Sequence, residues 1–166
     1  MSNEAPAGAL GIKVLVIDDS NTIRRSAEIF LKQGGHQVLL AEDGFDALAK
    51  VNDHDPDLIF CDILMPRLDG YQTCAIIKRN ARFSSVPVIM LSSKDGLFDR
   101  ARGRMVGSDQ YLTKPFTKDS LLQAVKEHDG LYSPQIENAW RHLMGAGIAF
   151  LTARYEGPVT GAKDGG

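Results

Sequence analysis

The sequence predicts an α/β domain: an open, doubly wound, five-stranded parallel sheet with helices on both faces and an extra C-terminal helix. Three observations carry this. Between residues 12 and 128, five short apolar runs are each followed by a helical pattern. The central run, Leu58-Ile59-Phe60-Cys61, is continuous rather than alternating, as expected of a strand covered on both faces. Glycine, proline or aspartate punctuates the passages between elements. Strands that alternate with helices build a parallel sheet, because parallel neighbours need a crossover long enough to hold a helix.

In chain order, residues 1–11 are small and polar, broken by Pro6, Gly8 and Gly11, and read as a flexible arm. The β-branched run 13–17 is the first strand; it ends at Asp18-Asp19-Ser20 and leads into a helix through Ile23, Ala27, Phe30 and Leu31. Gly34-Gly35 stops that helix, 36–40 is the second strand, and Asp43-Gly44 turns into a helix carrying Phe45, Leu48 and Val51. After the Asp55-Pro56 turn the third strand emerges at Asp62, where Pro66 and Gly70 prevent its extension, and a helix with Tyr71, Cys74, Ile76 and Ile77 follows. The fourth strand, 86–91, ends at Ser92-Ser93, and Gly96 opens a shorter helical segment to about Met105. A short fifth strand at 110–112 precedes Thr113-Lys114-Pro115-Phe116, and the last helix of this unit starts near the capping candidate Thr117 and carries Leu121, Leu122 and Val125. Residues 129–156 read as an additional amphipathic helical segment, with Ile136, Trp140 and Leu143 on one stripe, and the Gly-rich 157–166 reads as a disordered tail.

At 166 residues and 43% hydrophobic content the chain can build one packed core. A net charge of -2 gives no electrostatic reason to expect nucleic acid or an anionic membrane as partner. Cys61 and Cys74 fall in apolar patterns and read as buried thiols of a reducing compartment. The N-terminus lacks a basic region followed by an apolar core, and no run approaches bilayer-spanning length, so the expected location is cytoplasmic.

Parallel strands share a direction, so the ends at Asp18-Asp19, Asp62 and Ser92, with Lys114 after the fifth strand, lie along one edge of the sheet, where ligands of such folds collect. Alone, each has a bland reading: a turn aspartate, a capping serine, a solvated loop cation. Together they are three acids, a hydroxyl and an ammonium. Clustered carboxylates repel, and a hard divalent cation such as Mg²⁺, which prefers oxygen ligands, relieves them. Asp18 and Asp19 read as metal holders, Asp62 as a carboxylate nucleophile toward a phosphoryl group, and Ser92 and Lys114 as contacts to its oxygens.

Val16-Ile17-Asp18-Asp19-Ser20, Asp62-Ile63-Leu64-Met65-Pro66 with Asp69-Gly70, Leu91-Ser92-Ser93 and Lys114-Pro115-Phe116 resemble the motifs of two-component response-regulator receiver domains. The resemblance covers residues 12–128. It implies the flavodoxin-like strand order 2-1-3-4-5, phosphorylation of Asp62 by a histidine kinase or histidine phosphotransfer domain, and Mg²⁺ held by Asp18, Asp19, Asp62 and the backbone carbonyl of Leu64. It also implies a cis Lys114-Pro115 bond, and a switch made of Ser92 and Tyr111 that remodels the face of the fourth helix, fifth strand and fifth helix for a downstream protein effector. The segments 43–48, 66–74 and 92–99 further resemble PilG-type regulators of type IV pilus twitching motility, which implies a pilus motor-associated effector. Leu64 and Lys94 stand where receivers vary, and are expected to hinder water and slow loss of the phosphoryl group. The alternative reading of the same acids is a Mg²⁺-dependent phosphohydrolase working through an aspartyl phosphate.

Overall fold

The structure is a computed structural model and describes residues 11–93 and 99–128. The strands are β1 (Lys13–Ile17), β2 (Gln37–Ala41), β3 (Leu58–Asp62), β4 (Val88–Ser93) and β5 (Gln110–Lys114). The helices are α1 (Asn21–Gln33), α2 (Gly44–His54), α3 (Gly70–Arg79), α4 (Arg100–Val106) and α5 (Lys118–Glu127). The strands form one sheet in the order β2-β1-β3-β4-β5, every neighbouring pair parallel. This is the doubly wound arrangement expected. Lys13, Lys94 and residues 129–166 divide accordingly: the first opens β1, while the expectations for Lys94, for Gly96, for the helical segment 129–156 and for the tail 157–166 lie outside the described residues.

Successive strand residues face opposite sides, and the sheet sorts its apolar side chains accordingly. Val14, Val16, Phe60, Ile89 and Leu91 pack with Ala27 and Leu31 of α1 and Leu121, Ala124 and Val125 of α5. Leu15, Ile17, Ile59, Cys61 and Met90 pack on the other side with Ala47 and Val51 of α2 and Cys74 and Ile77 of α3. Burying a large apolar side chain fully is worth about 1.5–3 kcal/mol, so a central strand buried at all five positions is the firmest platform in the molecule. Asp62 is the last residue of that strand.

Several element boundaries differ from those expected, each for a hydrogen-bonding reason. β4 starts at Val88 rather than 86, because the Val88 amide is taken by the Asp109 carboxylate and Pro87 has no N–H to contribute. At its far end β4 continues through the two serines, with Ser92 paired to Thr113 and Ser93 to Lys114, so both serines are strand residues and Lys114 is the last residue of β5. α4 begins after Asp99, whose side chain caps it by accepting from the Arg102 amide. At α5, Thr117 caps as expected: its hydroxyl accepts from the Ser120 amide while the Ser120 hydroxyl accepts from the Thr117 amide. The Lys114-Pro115 peptide is cis.

Candidate functional site

β1, β3, β4 and β5 all deliver a polar side chain to the same sheet edge. Asp18 follows β1 and is fully buried, Asp62 ends β3 and is 4% exposed, and Ser92 in β4 is 2% exposed. Asp19 is exposed. Ligand oxygens of Asp18, Asp19 and Asp62 lie within 4.8 Å of one another. Lys114 reaches in from β5, its Nζ donating to Asp62 Oδ1 at 2.9 Å and to Asp18 Oδ2 at 3.1 Å. These residues, with Ser20, Ile63, Leu64, Leu91 and Ser93, line a cavity of about 160 Å³.

The acids are held from behind by the backbone. The Ser20 amide donates to Asp18 Oδ1 at 2.8 Å, and Arg24, one turn into α1, donates to the Asp18 carbonyl at 2.6 Å. The Ser20 side chain in turn caps α1 by accepting from the Ile23 amide. After Asp62 the chain turns sharply enough that the Gly70 amide donates to the Ile63 carbonyl at 2.8 Å. A β-carbon on Gly70 would collide with the Asp62 carbonyl, so only glycine permits the approach. Asp69 then caps α3 in a reciprocal box with Gln72.

Burial pushes the Asp62 carboxyl up from its ordinary 3.8 to about 6; the Lys114 hydrogen bond opposes this, and the Asp18 and Asp19 charges reinforce it. Burial works against the charge on Lys114 as well, but its hydrogen bond to Asp62 and the Asp18 carboxylate outweigh that, and its pKa stands above the ordinary value. Asp62 is therefore ionised at neutral pH beside a charged ammonium. Behind it, burial raises the Cys61 thiol well above its ordinary pKa and that of Cys74 to about 11, which leaves both unreactive.

The structure thus brings together Asp18, Asp19, Asp62, Leu64, Ser92 and Lys114. Tyr111 stands apart from them. It sits two residues before Thr113, the partner of Ser92, and lines a shallow hollow with Arg100, Arg104, Ser108, Asp109 and Gln110. Its hydroxyl accepts from Arg100 Nη2 at 2.6 Å, and the guanidinium lies 5.2 Å from the ring centre. The Ser92 hydroxyl donates to the Ser93 carbonyl at 3.2 Å, and Ser93 Oγ, on the cavity wall, is buried with no hydrogen-bond partner among the described residues. The sequence motifs include Ser93 without assigning its hydroxyl a role, and they do not point to Arg24 or to the Asp43–Arg67 pair. The last two are set by turns that no local spacing announces.

An all-oxygen cluster with one ammonium, at the carboxyl ends of a doubly wound parallel sheet, defines a phosphoryl-handling α/β domain rather than a nucleotide- or metal-redox site. Residues 14–126 match the response regulator receiver domain family, and the chain belongs to that family. It is 67% identical over 124 residues to the protein PilG of Pseudomonas aeruginosa, a span of 75% of this chain and 92% of that one. Its fold is similar to that of the Vibrio cholerae chemotaxis protein CheY4 (TM-score 0.68, 30% identity, 71% of this chain and 98% of that one). It is also similar to the receiver domain of a Pseudomonas aeruginosa sensor histidine kinase solved with a magnesium ion coordinated in its active-site cleft (TM-score 0.67, 28% identity, 72% and 98%). Membership favours the regulator over the phosphohydrolase reading.

Proposed function

We propose that Asp62 accepts a phosphoryl group from a histidine phosphodonor, a histidine kinase or histidine phosphotransfer domain, and that this switches the chain's contact with a protein effector. The observation that carries the reading is the buried Asp62 carboxylate: one oxygen is neutralised by Lys114, and the other has no hydrogen bond among the described residues. That oxygen attacks phosphorus in line, the new P–O bond forms as the P–N bond breaks, and the imidazole leaves with the bonding pair and takes up a proton. Lys114 remains to pair with the phosphoryl oxygens. Ser92 Oγ, which needs only to rotate away from the Ser93 carbonyl, donates to another.

The donor set fits Mg²⁺: Asp18, Asp19 and Asp62 offer carboxylates within one small cavity, and Leu64, which lines the same cavity, would add its backbone carbonyl. When bound, the ion neutralises charge on the transferring phosphoryl group. Tyr111, linked to Ser92 through the β4–β5 pairing, turns inward as the serine is drawn to the phosphoryl group, and the face of α4, β5 and α5 changes with it. The similarity to PilG supports an output in type IV pilus twitching motility, through a pilus motor-associated partner in the cytoplasm. Residues 12–128 are the receiver, between the arm 1–11 and the segments 129–156 and 157–166. Acetyl phosphate with Mg²⁺ is expected to label the wild type and to leave Asp62→Asn unlabelled; equal labelling of both would overturn the assignment.

A further inference from the structure

The loop between β3 and α3 is pinned to the start of α2, at a cost in backbone conformation. Arg67 has φ 70°, in the left-handed region, and the Leu68 amide donates across it to the Pro66 carbonyl at 2.7 Å. This is a γ-turn of the positive-φ kind, rare and strained for a residue with a long side chain. Something must hold it, and the side chains on either side of the turn do. Arg67 Nη2 is 2.6 Å from Asp43 Oδ2, and its guanidinium lies 5.5 Å from the centre of the Phe45 ring. Leu68 packs so closely on Gly44 that a β-carbon there would lie 2.7 Å from Leu68 Cδ2. Asp43 is itself fixed, since its other oxygen caps α2 by accepting from the Asp46 amide at 2.7 Å. Phe45, 54% exposed although it falls on a helix, is better explained by the Arg67 stack than by the core.

The strained turn lies three residues beyond Leu64, in the segment that runs from Asp62 to the Asp69 cap of α3. Both ends of that segment are anchored, and Arg67 is the residue between them that holds a left-handed backbone conformation. We propose that Arg67 is a positioning residue: by gripping Asp43 and Phe45 it holds the γ-turn, and so keeps the Leu64 carbonyl set for a divalent cation in the acidic cavity. This rests on the reading of that cavity as a Mg²⁺ site. Arg67 does not touch the ion; it acts through the backbone. An exposed ion pair alone contributes little to stability, so its effect belongs in loop geometry and metal affinity rather than in the melting temperature.

The test uses the full chain and two readouts. Calorimetric titration with MgCl₂ is expected to show Arg67→Ala binding about tenfold more weakly than wild type, the low end for a residue that acts on a ligand from outside the site, with Arg67→Lys recovering part of the loss. Asp43→Asn, which keeps the helix cap but not the charge, is expected to weaken binding similarly, and the double variant no further. In EDTA, amide exchange at Leu68 is expected to be faster in Arg67→Ala, while the melting temperature stays at or above that of wild type. Unchanged Mg²⁺ affinity and unchanged Leu68 exchange in Arg67→Ala would overturn the clamp, as would losses in the two single variants that simply add. A wild type that binds no Mg²⁺ would instead overturn the reading of the cavity, and the proposal with it.

Discussion

Burial works against the charge on Asp62, and the hydrogen bond and charge of Lys114 work for it. A carboxyl whose pKa is raised in the folded chain binds its proton more tightly there than in the unfolded chain. Its contribution therefore favours folding at low pH, and is lost as pH rises from about 4 through about 6, flattening above. The shift from 3.8 to about 6 corresponds to about 3 kcal/mol. Asp62→Asn removes that titration while keeping an acceptor for Lys114. In metal-free buffer the variant is expected to unfold at higher urea than wild type at pH 7.5, with the gap closing toward pH 4. A gap independent of pH would show that Asp62 is not the titrating group. Gly70 makes a complementary point: with the Asp62 carbonyl against its α-carbon, Gly70→Ala has to displace the strand end itself.

At the scale of elements, α4 is attached differently from its neighbours. Its only buried residue is Gly103, whereas α5 buries Leu121, Ala124 and Val125. Two tyrosines hold it instead. The buried Tyr71 hydroxyl accepts from the Asp99 amide at 2.8 Å, and Arg102 lies 4.4 Å from the ring centre with Asp69 at 3.6 Å; Arg100 and Tyr111 make the second tie. Each such hydrogen bond nets only about 0.5–1.5 kcal/mol, so α4 can shift without emptying the core. Tyr71→Phe is expected to speed amide exchange throughout α4 while leaving α5 unchanged; equal effects on both helices would mean a global rather than a local loss. The strands and helices that feed the core were legible in the sequence because period-2 and period-3.6 apolar patterns and caps are local signals. The acidic edge was legible too, since parallel strands bring their ends together wherever the helices go. What the sequence did not disclose are the ties across it, Arg67 to Asp43, Arg100 to Tyr111 and Arg102 to Tyr71, in which polar partners chosen by tertiary packing leave no periodicity. The same blindness moved Ser92 and Lys114 from loop to strand: their pairing is decided by a neighbour, not by their own residue type.

For the molecule as a whole, the sheet concentrates apolar area at its centre and negative charge at one edge, and the ammonium of Lys114 is the counter-charge that reaches both buried carboxylates there. A cation entering the cavity would compete with that ammonium for Asp18 and Asp62. Binding to the folded chain stabilises it by RT ln(1 + [L]/Kd), about 1.4 kcal/mol at ten times Kd, which for a domain of this size amounts to roughly 4–8 °C in melting temperature. Lys114→Met breaks a buried ion pair and is expected to cost the metal-free protein about 3 kcal/mol. Because it also removes the competitor, its melting temperature is expected to rise more on adding MgCl₂ than that of wild type, whereas Asp62→Asn, short of one ligand, is expected to rise less. General screening of a chain with net charge -2 would raise all three alike, and NaCl at matched ionic strength would do the same. Opposite displacements of the two variants about the wild-type shift, seen with Mg²⁺ and absent with Na⁺, are what a cation held between Asp18, Asp19 and Asp62 requires.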